Sequence, residues 1–363
     1  MYQIKKAHVF VLSFISAAIY GGCNVPSVDL TQITQTQTSP TPTPMPSRHF
    51  PPPRLFVADR GNDRIVELDD LNGKVRETYS LPSSGQPSGF AFDSTRRIYI
   101  SDSVNSQIVR VDHLDGENQV VYGTEGTGVG QFDLPAGVAL DSQNRIYVLD
   151  SGNNRVVRMD DVNGTNWISF GTAGSGIGQF SAPSAIALDP NGRVYVVDSG
   201  NHRITRFDDL SGTNWVSLGA APAGGAGENE FQFPAAIALG ISRDSVGAPT
   251  VSNILIADSG NNRIVLVNDL LGTGWTTFGT VGAGTSQFNA PSGVAFGQRG
   301  KIFVSDAGNS RLISVDGLTG DNWTVLGVAG VGNVQVNTPG EIVRHFIHRF
   351  STGSIDSHTQ AIE

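Results

Sequence analysis

Acidic and basic side chains that could act together recur in this chain at one fixed spacing. The phrases are DRGNDR from Asp59, DSVNSQ from Asp102, DSGNNR from Asp150, DSGNHR from Asp198, DSGNNR from Asp258 and DAGNSR from Asp306. Each puts an Asp five residues before an Arg, except the second, which has Gln107. Six carboxylates and five guanidiniums gathered on one face could bind charged or polar ligands. Across a tight hairpin, the same pair would fix the turn through a charge-assisted hydrogen bond. Repetition in every copy favours that framework role, because a site normally breaks symmetry. The expected structural pairs are Asp59 with Arg64, Asp150 with Arg155, Asp198 with Arg203, Asp258 with Arg263, and Asp306 with Arg311. In the second copy Val104 also replaces the Gly, so its turn should differ.

Other reactive groups are sparse. Between residues 54 and 344 the only histidines are His113 and His202, both expected at the surface. His345 and His348 have a spacing that could bind metal on a helix, but no third ligand is evident. Glu341 is a single carboxylate, and a metal site needs three or more protein ligands. The segment GTAGSGIGQF from Gly171 is glycine-rich but precedes a strand, whereas a phosphate-binding loop opens a helix. No catalytic residue, metal or cofactor is therefore expected. With 24 Lys and Arg against 33 Asp and Glu, a net charge of −9 and no basic run, nucleic acid is a poor partner.

The elements that must carry these residues are short strands. The six Asp positions are 43, 48, 48, 60 and 48 residues apart. Within one unit, PAGVAL, RIYVLD, RVVRMD and NWISFG are four β-rich runs separated by turn residues. SGNN joins the second and third runs, and Gly and Asn tolerate the positive φ that a tight hairpin needs. All four tryptophans, Trp167, Trp215, Trp275 and Trp323, follow the next turn at one repeat position, which predicts inter-blade packing rather than a ligand cage. Segments of the type GTxGxGxGQFxxP link successive units and fall on the same face as the SGNN hairpins. Their Phe132, Phe180, Phe231 and Phe288 are expected to plug between blades. An insertion at 240–253 accounts for most of the long interval and should lie on the opposite face.

A near-constant period of this length is that of one propeller blade. The phrase PxGVALD…R[IV]YVxDSGNxR[IV]xRxD resembles the NHL repeat over roughly residues 54–340. The expectation is an all-β, six-bladed β-propeller of four-stranded antiparallel blades over 54–344, followed by an irregular tail at 345–363. Blade 1 starts at LFVAD without an innermost strand, and Pro339–Val343 echoes the missing PSGVA, so a C-terminal strand should close the ring. The resemblance implies partner binding on the hairpin face, with Asn62, Asn105, Asn153, Asn201, His202, Asn261 and Asn309 as candidates. A protein, peptide or carbohydrate would be bound by a monomeric, non-catalytic module. NHL-like propellers also include metal-assisted lyases acting on peptide-derived or lactone substrates, which gives the alternative reading.

Residues 1–23 read as a signal peptide, with Lys5 and Lys6 before a short apolar run. It ends at Cys23, the sole cysteine, in a setting that resembles a bacterial lipobox, although Tyr20 stands where an aliphatic residue is usual. Residues 24–53, rich in Thr and Pro, suit an extended stalk. The expected address is outside the cytoplasm, tethered to the cell or outer membrane through a lipid on Cys23.

Overall fold

The computed structural model describes residues 54–69, 74–219, 224–329 and 335–345, all within one compact unit, Phe50–Glu363. The expected signal peptide, Cys23 and stalk lie outside the described residues, as does the expected tail 345–363 except for His345, which ends the strand Pro339–His345. The body is a ring of six antiparallel blades. Blade 3 shows the plan, with strands Pro135–Leu140, Ile146–Asp150, Arg155–Met159 and Ile168–Phe170 in sequence order from the innermost outward.

Every residue of Ile146–Asp150 is buried, so this strand shows no alternation between core and solvent. The reason is that each blade is covered on both faces by its neighbours, and a strand buried on both sides reads as one apolar run. The core is correspondingly divided among the seams between blades. One cluster joins Tyr99 and Ile108 of blade 2 to Val148 and Val157 of blade 3. Another joins Leu55 and Val57 of blade 1 to Phe303 and Leu312 of blade 6, with Ile342 between them.

Blade 1 is composite. Its strands Arg54–Asp59, Arg64–Asp69 and Val75–Ser80 come from the start of the body, and the innermost strand, Pro339–His345, comes from its end. The register pairs Phe56 with Val343 and Val57 with Ile342, so closure falls where the PSGVA echo placed it. It joins both ends of the propeller body in one sheet and covers an inner edge that would otherwise be open. The insertion lengthens the first hairpin of blade 5 into Ala236–Arg243 and Pro249–Asp258, at the end opposite the SGNN turns.

Candidate functional site

The six hairpins between second and third strands are built alike. In blade 3 the Asp150 carboxylate takes hydrogen bonds from Arg155 Nε at 2.7 Å, Asn153 Nδ2 at 2.8 Å and the Asp133 amide at 2.7 Å. Arg155 reaches on to the Thr127 and Gln131 carbonyls of the preceding link, and its guanidinium lies 5.9 Å from the Trp167 ring centroid. Trp167 in turn packs on Phe132 at 5.2 Å. Asp59–Arg64, Asp198–Arg203, Asp258–Arg263 and Asp306–Arg311 form the same pair at 2.7–2.8 Å. These charges are spent on tying hairpin to link.

Blade 2 solves the same problem with neutral groups, as Gln107 Nε2 and Asn105 Nδ2 both bond Asp102. Blade 2 also carries Val104 in the turn, and its link, one residue shorter, presents Gly85, whose Cβ would lie 2.0 Å from Asp102. In blade 3 the turn glycine is the crowded one, since a Cβ on Gly152 would meet Asp133 at 2.3 Å.

The candidate face residues are mostly committed inward. Asn153, Asn201, Asn261 and Asn309 each donate through Nδ2 to the hairpin Asp and to a link carbonyl, and Asn62 and Asn105 donate to Asp59 and Asp102. His202, expected at the surface, is only 6% exposed. Its Nδ1 accepts the Phe233 amide at 3.1 Å and its ring meets Phe233 edge-on, so the ring proton resides on Nε2. In the neighbouring blades Asn154 and Asn262 accept the amides of Ala182 and Ala290 in the same way. Sequence position alone could not show that this residue faces the next blade's link.

In five of the six blades the residue before the inner-strand proline takes a left-handed conformation, with φ of 47° at Leu134, 42° at Ala182, 44° at Phe233, 48° at Ala290 and 42° at Thr338. Such backbone is costly for residues with a side chain and persists when surrounding bonds hold it. It also leaves Leu134 and Phe233 more than half exposed, at 56% and 52%. Val104, Val129, Ile177 and Val281 on hairpins and links of the same face are 61–78% exposed. Most of the exposed large apolar side chains among the described residues thus project from this one face.

At its centre the inner strands surround a cavity of about 20 Å³ lined by Ser88, Ala136, Ser184, Ala235, Ser292, Arg60 and Glu341, with their neighbours. Ser184 Oγ donates to the Pro234 carbonyl and Ser292 Oγ to that of Pro339, stitching one blade to the next. Arg60 continues this stitch through Nη2 to the Ser88 carbonyl at 2.9 Å, while its Nε has no partner among the described residues. Glu341 Oε2 accepts the Phe90 amide at 2.6 Å. Burial pushes the Glu341 carboxyl up to about 8, against the pull of the Phe90 amide and of Arg60. Burial also lowers Arg60, but a guanidinium remains charged. Both residues replace small ones. Arg60 stands where the other hairpins have Ser103, Ser151, Ser199, Ser259 and Ala307, and Glu341 where the other inner strands have Gly89, Gly137, Ala185, Ala236 and Gly293. Glycines make the room, for a Cβ on Gly340 would lie 2.5 Å from Arg60 Nε and one on Gly89 would lie 2.9 Å from Glu341 Oε2. Aligning the six phrases column by column exposes Arg60, a signal hidden by the pairing of Asp59 with Arg64.

Away from this face, blades 2 to 4 carry a second ion pair where the first two strands turn, Asp93–Arg97, Asp141–Arg145 and Asp189–Arg193, at 2.5–2.6 Å. No group of three or more His, Cys, Asp and Glu among the described residues is placed to hold a metal.

Fold and site together define a repeat-built, six-bladed β-propeller with two ionisable side chains, Arg60 and Glu341, at its axis. The model of the NHL repeat matches residues 132–159 and 180–207, and the chain carries NHL repeats on this ring. No curated protein matches it in sequence. Among solved structures, a chain in the "Crystal structure of Nidogen/Laminin Complex" is similar with a TM-score of 0.58 at 18% identity, covering 81% of this chain and 98% of that one. The "Streptogramin B lyase structure" is similar with a TM-score of 0.52 at 13% identity, covering 82% and 88%. These likenesses show the fold alone.

Proposed function

We propose that this protein is a binding module whose hairpin-and-link face recognises a protein, peptide or carbohydrate. The observation that carries this reading is the concentration there of exposed Leu134, Phe233, Val104, Val129, Ile177 and Val281 around the axial cavity. Exposed apolar groups gathered on one face and mixed with polar groups mark interaction surfaces. The test is selection of ligands from displayed peptides and glycan arrays, followed by titration of variants. The double variant Leu134→Ser, Phe233→Ser is expected to weaken a selected ligand at least about tenfold, the loss of two buried apolar anchors. Val246→Ser, on the 85% exposed tip of the opposite hairpin, is expected to change nothing. Equal binding by all three proteins would end this reading.

A second reading, a lyase-like propeller, is favoured by one observation. Glu341 is a carboxyl held near 8 beside a guanidinium, the pairing a general acid and an anion-stabilising cation would need. Turnover of cyclic ester or depsipeptide substrates that disappears in Glu341→Gln would establish it.

We further propose that the module is exported and tethered through Cys23, on the strength of the signal-like residues 1–23 and the Thr/Pro-rich segment after them. Cys23→Ser is expected to move the protein from the membrane fraction to the soluble one, and continued membrane fractionation would refute the lipid anchor.

A further inference from the structure

The hairpin-and-link face combines its exposed apolar groups with charge of one sign. The guanidiniums of Arg64, Arg155, Arg203, Arg263 and Arg311 are each bound to a hairpin Asp, so these pairs bring no net charge to the face. Arg60 stands apart in the axial cavity with Glu341. Blade 2 has Gln107 in place of the Arg, and Asp102 meets only neutral donors. The acids between the hairpin pairs have no cation against them. Glu125 and Glu228 are exposed, Asp63, Asp133 and Glu230 are half-buried, and no ion pair among the described residues includes any of the five. They are interleaved with the apolar groups. Asp133 directly precedes the exposed Leu134. Glu228 stands two residues before Glu230, the link position that the exposed Val129 and Ile177 hold before Gln131 and Gln179. The opposite face is mixed in sign. There Arg96, Arg243 and Arg299 are exposed, and so are Asp115 and Glu117. Both lysines of the described residues, Lys74 and Lys301, also lie at that end of their blades.

We infer that the hairpin-and-link face takes a polypeptide segment of a partner protein in which Lys or Arg is interspersed with apolar residues. This rests on the binding reading above and narrows its ligand to one class. The division of labour follows from the two kinds of group. Exposed Leu134, Phe233, Val104, Val129, Ile177 and Val281 supply apolar area to bury. The unpaired carboxylates choose the sign of the partner, because complementary rim charges steer encounter and like charges repel. An acidic segment would meet carboxylates whose only nearby cations are already paired. A neutral glycan would leave the acids without a complement.

The experiment exposes the full chain to an array of random dodecapeptides and, in parallel, to a glycan array, then titrates the tightest peptides at rising salt. Bound peptides are expected to be enriched in Lys and Arg over Asp and Glu, and to carry Leu, Ile, Val or Phe beside the cations. Their affinity should fall about tenfold between roughly 50 and 500 mM salt, as screening shortens the reach of the rim charges. The triple variant Glu125→Gln, Asp133→Asn, Glu228→Gln should bind about tenfold more weakly at the lower salt and respond less to its increase. Glu228→Lys alone should weaken binding in the same direction and serves where the triple variant does not fold. Glu117→Gln, on the opposite face, should bind as the parent does. Peptide binding without a basic preference, binding of glycans alone, unchanged affinity in the folded face variants, or an equal loss in Glu117→Gln would overturn this inference and leave a binding module. No ligand on either array would overturn the binding reading with it.

Discussion

Blade 3 and blade 1 contain the same hairpin, yet they differ in what they put at the axis. Blade 3 is contiguous in sequence, lies in a repeat matched by the family model, and presents Ala136 and Gly137 to the channel. Blade 1 is assembled from two distant segments and presents Arg60 and Glu341. The hairpin ion pair is nonetheless conserved in form between them, Asp150–Arg155 at 2.7 Å against Asp59–Arg64 at 2.8 Å. Regular positions therefore build the ring, and the two ionisable groups at the axis stand where the repeat is broken. The broken blade is also the closing one, so both come from the blade assembled from the two ends of the propeller body.

Removing that strand is the severest way to probe the contrast. Deleting residues 339–363 takes away Ile342 from the seam between blades 6 and 1 and exposes an inner sheet edge. A melting temperature lower by roughly 10 °C or more is expected, since several kcal/mol are lost from a domain of this size. An unchanged melt would show that blades 2 to 6 hold themselves without closure.

Arg155→Ala should come next in effect. It leaves the fully buried Asp150 without its ion-pair partner and frees the link carbonyls, at a cost on the order of 3 kcal/mol. Arg155→Gln should cost less, because blade 2 already works with Gln107. Denaturant unfolding of the two variants checks this, and equal losses would mean that the Asp–Arg charge, rather than its hydrogen bonds, fixes the hairpin.

The mildest change addresses blade 1. Glu341 has its folded pKa raised to about 8 from 4.5, so the folded chain holds a proton that the unfolded chain releases first. Its contribution is complete below about 4.5 and is lost as pH rises towards and through about 8. Melting followed from pH 5 to 9 should therefore decline in the wild type more than in Glu341→Gln. Parallel curves would remove the buried proton from the account.

Much of the architecture was legible because each blade repeats its own signals. The period, the SGNN turns and the PSGVA echo of Pro339–Val343 are local patterns, and local patterns survive in a linear sequence. The axial pair was only half legible. Glu341 stood out as the ionisable residue among small ones, but the Arg60 partner depends on which way a hairpin residue points around a closed ring. His202 misled for a related reason, because a His in an SGN turn looks solvated until the next blade's Phe233 is laid against it. The pairs Asp93–Arg97, Asp141–Arg145 and Asp189–Arg193 lie within the repeated phrase, but an Asp four residues before an Arg looks like ordinary turn composition until the first hairpin is folded, and only three blades carry it.

The hydrogen bond from Phe90 to Glu341 spans 251 residues of chain. During synthesis, nearly the whole body must emerge before the axial pair can exist. A nascent or truncated chain could display the outer hairpins and still lack its centre. The carboxyl of Glu341 thus acts as a certificate of completion, acquiring its unusual acidity only when the last blade has been finished.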